Sequence, residues 1–218
     1  MRLNLINRSA KIRVMKVGIV LCYGQFRPER TDYVSYKQYL DFIAGEIGKR
    51  GLERAILCGG FTVPEHPEDS EASTCQKYLL LIKPDFTNYF LEDRSITTNQ
   101  NLEFAAKELK PEDEIVVFGD LIRLAKIIWI AMHFLLHASQ DEIFKAVFEF
   151  ASAKDLHKEL PGEFRYRNLT VVGFDWPGRT REETIRQIFA TLSDVLSLYD
   201  EKKNHMELKQ RKRDFRLR

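Results

Sequence analysis

The sequence predicts an α/β fold, a mainly parallel sheet covered by helices on both faces. Short, continuous apolar runs recur at Val17–Cys22, Ala55–Cys58, Ile115–Phe118 and Leu169–Phe174, the pattern of strands buried on both sides. Between them lie longer stretches whose apolar residues recur at helical spacing. Alternation of this kind is satisfied by right-handed crossovers onto a parallel sheet.

The elements follow in order. Val17–Cys22 is the first strand, and Tyr23-Gly24 closes it. Tyr36, Tyr39, Leu40, Ile43 and Ile47 form one stripe of a helix over 33–50, which Gly51 ends. Ala55–Cys58 is the second strand, closed by Gly59-Gly60, and a polar loop with Pro64 and Pro67 leads to a helix from about Ser70 to Ile82. Tyr89–Leu91 is a short strand, and a helix follows from about Thr98 to Leu109, with Pro111 just past its end. Glu114–Phe118 is the next strand, ended by Gly119-Asp120. A strongly apolar helix is expected over 121–137 and another over 141–157. Leu169–Phe174 is the last strand, and Thr180 with Glu183 makes a capping box for a helix running to about Tyr199.

Charge divides the chain. Residues 1–16 and 201–218 each sum to +5, so with a net charge of +2 the body over 17–200 carries −8. An acidic body between basic ends is unlike a nucleic-acid-binding domain, whose cations stripe the folded face. Nucleic acid or an anionic membrane surface is therefore expected only as a weak partner of the tails, which read as solvated and partly unfolded. The expected organisation is a basic extension over 1–16, one domain over 17–200 and a basic tail over 201–218. Met15, directly before the first strand, is a candidate start.

Cys22, Cys58 and Cys75 are odd in number and match no zinc or Cys-x-x-Cys spacing, which suits a reducing, cytoplasmic compartment. No spanning segment or signal peptide is evident. His133 and His137 have the i,i+4 spacing of metal ligands but lie on an apolar helix without an accompanying glutamate, so they read as packing and no metal site is expected. The sequence names no cofactor and leaves the oligomeric state open.

In a parallel α/β sheet, ligands bind beyond the carboxyl ends of the strands, where the strand order reverses. The polar residues fall in those loops. Gly59 and Gly60 permit close approach of a ligand to the backbone. Ser70 caps a helix whose first residue, Glu71, brings a carboxylate to the same edge. Glu92, Ser95, Thr98 and Asn101 recur every three residues around a helix start, a setting suited to phosphate or carboxylate. Thr97 or Thr98 caps that helix, and Asn101 either orders the loop for a ligand or only braces it. Asp120 and Arg123 sit where the next strand meets the apolar helix. Arg123 either offers a guanidinium fork to an anion or pairs with Glu71, Glu92 or Asp120. His66 is a candidate acid–base group or an exposed loop residue, Asp175 adds a rim carboxylate, and Trp176-Pro177 walls the pocket. Dinucleotide, P-loop and nucleophile-elbow signatures are absent.

Taken in order, Leu21-Cys-Tyr-Gly24, Cys58-Gly59-Gly60, Ser70-Glu71-Ala72, the Glu92, Ser95, Thr98, Asn101 block and Asp120-Leu-Ile-Arg123 resemble the domain of unknown function 218 family, also called the ElyC/SanA/YdcF family. The resemblance covers roughly residues 17–130. It implies a Rossmann-like three-layer fold with a polar pocket, and brings Gly24 into the set of candidate ligand-binding residues. Two positions depart from the family pattern: Cys58 stands for a serine and Asp120 for a histidine.

Two functions are expected from this pattern. The first is a small anionic or nucleotide-like (phosphorylated or adenosyl) ligand. It would be held by Gly24, Gly59, Gly60, Ser70, Ser95, Thr98, Asn101 and Arg123, with Glu71, Glu92 and Asp120 as candidate catalytic groups. The second is a non-catalytic interaction protein whose polar block only braces loops.

Overall fold

The computed structural model describes residues 13–29, 33–152, 162–182, 185 and 194–215. Residues 1–12 of the basic extension, Glu183 of the expected capping box and residues 153–157 of the second apolar helix lie outside them. The chain forms β1 (Lys16–Leu21), α1 (Tyr33–Arg50), β2 (Arg54–Cys58), α2 (Glu71–Ile82), β3 (Tyr89–Glu92), α3 (Thr98–Ala106) and β4 (Glu114–Asp120). A 3-10 turn (Leu121–Arg123) leads into α4 (Leu124–Leu135), followed by α5 (Gln140–Ser152), β5 (Glu163–Tyr166), β6 (Leu169–Phe174) and α6 (Glu201–Asp214).

The sheet order is β3-β2-β1-β4-β6-β5, parallel throughout except for the edge strand β5. Helices cover both faces, so the fold is α/β, Rossmann-like and three-layered. On one face α3, α4 and α5 supply Leu102, Ile127, Ile130, Ile143 and Phe150 to the core. On the other, α1 and α2 supply Tyr39, Leu40, Ile43 and Leu79. The apolar strand runs lie between these layers, with Ile19, Ile56 and Val117 fully excluded from solvent. No described helix is long and apolar enough to cross a membrane.

Four differences from the sequence reading have local causes. The strand β5 was not expected, because Glu163 and Arg165 alternate with Phe164 and Tyr166 and mask its apolar face; Arg167 turns the hairpin with φ +51°. The helix expected over 121–137 starts as a 3-10 turn, since the Asp120 side chain accepts from the Ile122 N–H (3.1 Å). The helix expected to reach Leu109 stops at Ala106. The tail read as solvated and partly unfolded is helical over Glu201–Asp214: Asp200 caps it by accepting from the Lys203 N–H (3.0 Å), and no glycine or proline interrupts it. Of the helix expected over 180–199, residues 181, 182, 185 and 194–197 are described as helical.

The chain passes from β1 outward to β2 and β3, then returns to β4 on the other side of β1. The strand order therefore reverses between β1 and β4. Tyr39 of α1, fully buried, spans this seam: its hydroxyl donates to the Leu21 carbonyl (2.9 Å) and reaches the Phe118 carbonyl (3.3 Å). Tyr39→Phe is expected to destabilise the fold by about 1–2 kcal/mol with unchanged far-ultraviolet circular dichroism, because it removes a buried hydrogen-bond donor that joins the two strand ends. Urea denaturation measures this.

Candidate functional site

The loops after β1 and β4 part at the seam and leave a cleft of about 800 Å³. That volume lies within the range of pockets that hold small molecules and cofactors. Its walls come from every loop at the carboxyl edge.

The β1 wall is Cys22, Tyr23 and Gly24. Gly24 has φ +110°, a conformation a side chain would strain, and this turns the backbone away from the sheet. The Tyr36 hydroxyl accepts from the Tyr23 N–H (3.0 Å) and donates to the Gly24 carbonyl (2.9 Å), fixing the turn. Gln25 is buried and its amide donates to the carbonyls of His66 and Asp69, tying this loop to the one after β2. Tyr23, Tyr36 and Trp176 form an aromatic side, with Tyr23 and Tyr36 ring centroids 5.6 Å and 5.9 Å from that of Trp176. Burial raises the proton affinity of the Tyr23, Tyr36 and Tyr39 hydroxyls, which therefore stay neutral.

The β2 wall is Gly59 with Glu71 of α2. A Cβ on Gly59 would lie 2.6 Å from a Glu71 carboxyl oxygen, so glycine is what lets this carboxylate stand against the strand end. Glu71 also accepts from the Thr62 hydroxyl. Gly60 lies behind the wall, where its N–H donates to the Ser95 carbonyl (3.0 Å) and a side chain would collide with that oxygen. Ser70 is buried as the N-cap of α2, in reciprocal bonds with Ser73.

The third wall is the start of α3: Ser95, Ile96, Thr97, Thr98 and Asn101. Thr97 is the cap, accepting from the Gln100 N–H (3.2 Å), which leaves Thr98 in the first turn at the cleft. Ser95 donates to the Asn101 side-chain carbonyl, so Asn101 braces the loop while lining the cleft. Glu92 does not line it. One carboxyl oxygen accepts from the N–H groups of Arg94 (3.0 Å) and Ser95 (3.1 Å), and the other has no hydrogen-bond partner among the described residues. Burial raises the Glu92 carboxyl above its ordinary proton affinity, against the pull of those donors.

The β4 wall holds the positive charge. Asp120 is 4% exposed and accepts from Arg179 (2.7 Å) as well as capping the 3-10 turn, so it is a brace between β4 and the loop after β6. Arg123 lies 3.8 Å from Asp120 and over the Tyr23 ring (5.5 Å), and its Nε has no hydrogen-bond partner among the described residues. Lys126, 1% exposed, pairs with Asp194. Burial lowers the proton affinity of its ammonium, Asp194 opposes this, and Arg123 and Arg211 add to the lowering.

The structure thus brings Gly24, Gly59, Glu71, Ser95, Thr98, Asn101, Asp120 and Arg123 to one cleft, with Trp176 and Pro177 on its wall, and sets Gly60, Ser70 and Glu92 behind it. His66 and Asp175 are not among the lining residues, and His133 packs edge-on against Phe134 and Tyr199. The sequence reading missed Lys126, Arg179, Asp194, Arg211 and Phe215, all of which line the cleft. Lys126 had a signal, as the one lysine in the apolar segment Leu124–Leu135. Arg211, one of eight cations in the tail, had none. No group of three or more histidine, cysteine, aspartate or glutamate side chains is gathered for a metal ion among the described residues.

Chemically, among the described residues four cations and three carboxylates line the cleft, together with a helix N-terminus and an aromatic side. That set can hold an anionic group and a flat ring. No protein-family model and no curated protein matches this chain.

Lys126→Met is expected to cost about 3–5 kcal/mol in urea denaturation, because it leaves the Asp194 carboxylate buried without its partner. A second effect depends on pH. Burial and the adjacent Asp194 carboxyl raise the proton affinity of Glu207, so its protonated form favours the docked α6. That contribution is present below the ordinary carboxylate range and is lost as pH rises through the raised value. Tryptic cleavage within α6 should therefore quicken with pH above that range, after correction for the protease's own profile, and Glu207→Gln should flatten the dependence.

Proposed function

We propose that this chain binds a small anionic, nucleotide-like ligand, phosphorylated or adenosyl, in the cleft between the ends of β1 and β4. The observation that carries this is Arg123. Its guanidinium lines the same cleft as the first turn of α3, and its nearest carboxylate among the described residues is 3.8 Å away. A guanidinium that shares a cleft with a helix N-terminus is suited to phosphate or carboxylate. In this reading Ser95 and Thr98 hold the anion with Arg123, Gly24 and Gly59 allow close approach, and Tyr23 and Trp176 flank a ring. Glu71 bonds ligand hydroxyls, the role that buried Glu92 is not positioned to share. The same edge carries the ordered blocks that resemble the domain of unknown function 218 family, which supports a polar pocket here. The three buried, unpaired cysteines support a reducing, cytoplasmic setting.

The test is native mass spectrometry of the purified chain, then thermal shift and titration calorimetry with nucleotides, adenosyl compounds and sugar phosphates. The expected outcome is one stabilising class whose affinity falls on the order of 10- to 100-fold in Arg123→Ala, the loss of a charge-assisted contact. If no class stabilises the chain, or if Arg123→Ala binds as the wild type does, the reading fails and the non-catalytic interaction protein replaces it.

A further inference from the structure

Arg211 and Phe215 reach the cleft from α6, beyond the last strand, and are not part of the α/β frame. A chain of polar contacts carries α6 there. Asn99 of α3 donates to the Asp194 carbonyl (3.0 Å) and to the Ser197 hydroxyl (3.0 Å). The Asp194 carboxylate pairs with Lys126 of α4. Glu207 of α6 lies close enough to Asp194 and Ser197 for both to act on its carboxyl. Arg211 lies one helical turn after Glu207, so the contact that docks the helix also aims Arg211 at the cleft.

Once there, Arg211 is poorly neutralised. Its nearest described carboxylate is Glu207 at 4.0 Å, the loose limit of an ion pair, and its side chain is 40% exposed. Arg123 is also without a closer carboxylate among the described residues than Asp120 at 3.8 Å, which already accepts from Arg179. Lys126 feels both arginines and has Asp194 as its own partner. Cations converging on a partly enclosed site repel one another, and an added dianion relieves that repulsion.

We infer that the end of the cleft bounded by Arg123, Lys126 and Arg211 is a phosphate or pyrophosphate subsite, and that the C-terminal helix is part of the binding site. This rests on the anionic-ligand reading above and deepens it. Arg211 is then a ligand-binding residue supplied by the tail, and an occupied subsite holds α6 against the domain. Phe215, just past the helix end, lines the same cleft.

The test uses the full chain, with inorganic pyrophosphate as the probe in titration calorimetry. Arg211→Ala is expected to weaken pyrophosphate binding by about tenfold or more, while Lys212→Ala, the exposed neighbour outside the cleft, stays within about twofold. Saturating pyrophosphate is also expected to slow tryptic cleavage within α6 of the wild type and not of Arg211→Ala. If Arg123→Ala loses pyrophosphate but Arg211→Ala binds it as the wild type does, the inference falls and the cleft reading stands. Equal losses in Arg211→Ala and Lys212→Ala would mean only diffuse attraction by the basic helix, which also overturns it. No pyrophosphate binding by the wild type overturns it too, and the nucleotide and adenosyl panel then decides separately whether the cleft reading survives.

Discussion

The reversal of strand order between β1 and β4 is the constraint from which the rest of the molecule follows. Two neighbouring parallel strands whose chains leave in opposite directions cannot have their outgoing loops packed on each other. An opening at their carboxyl ends is the geometric result. The protein closes the base of that opening with aromatic side chains. Tyr39 bridges the two strand ends, and Trp176 from the loop after β6 lies over it, with ring centroids 5.3 Å apart. Tyr23 then reaches from the first loop to the second, its hydroxyl accepting from the Asp120 N–H (2.7 Å). An aromatic side of the cleft is thereby tied to both strand ends.

The carboxylates at this rim are largely occupied in holding it together. Asp120 accepts from Arg179 and from the turn it caps, Asp194 pairs with Lys126, and Glu92 accepts two loop N–H groups from behind the wall. A buried carboxylate without such partners would be costly, so each is fixed by the donors around it. The cations are less evenly matched. Arg179 has a close partner, whereas among the described residues Arg123 and Arg211 face carboxylates only at 3.8 Å and 4.0 Å. In the proposed reading this asymmetry, rather than the net charge of the acidic body, is what would draw an anion to the cleft.

How far the site could be read beforehand depended on whether each residue's role is local. Thr97, Thr98, Ser70 and Glu71 act within one helical turn of their own position, and their spacing is visible in the chain. Gly24, Gly59 and Gly60 follow strands and announce tight loops. The edge strand β5 was hidden because its alternation mixes two aromatics with two charges. Glu92 was misplaced for a related reason: its neighbours in sequence suggest a rim, but the chain turns so that its carboxylate caps N–H groups of the following loop instead.

By itself, the sequence determined the α/β class, the strands buried on both faces and the edge at which polar loops gather, because those features arise from hydrophobic periodicity and short-range caps. Only the tertiary structure decided which polar groups share a cleft. Asn99 meets Ser197, Lys126 meets Asp194, Arg179 meets Asp120, and Arg211 arrives from a helix that reads as a solvated tail. Those pairings join residues far apart in the chain. Charge attraction depends on separation in space, and sequence spacing carries no record of that separation once the chain has folded back on itself.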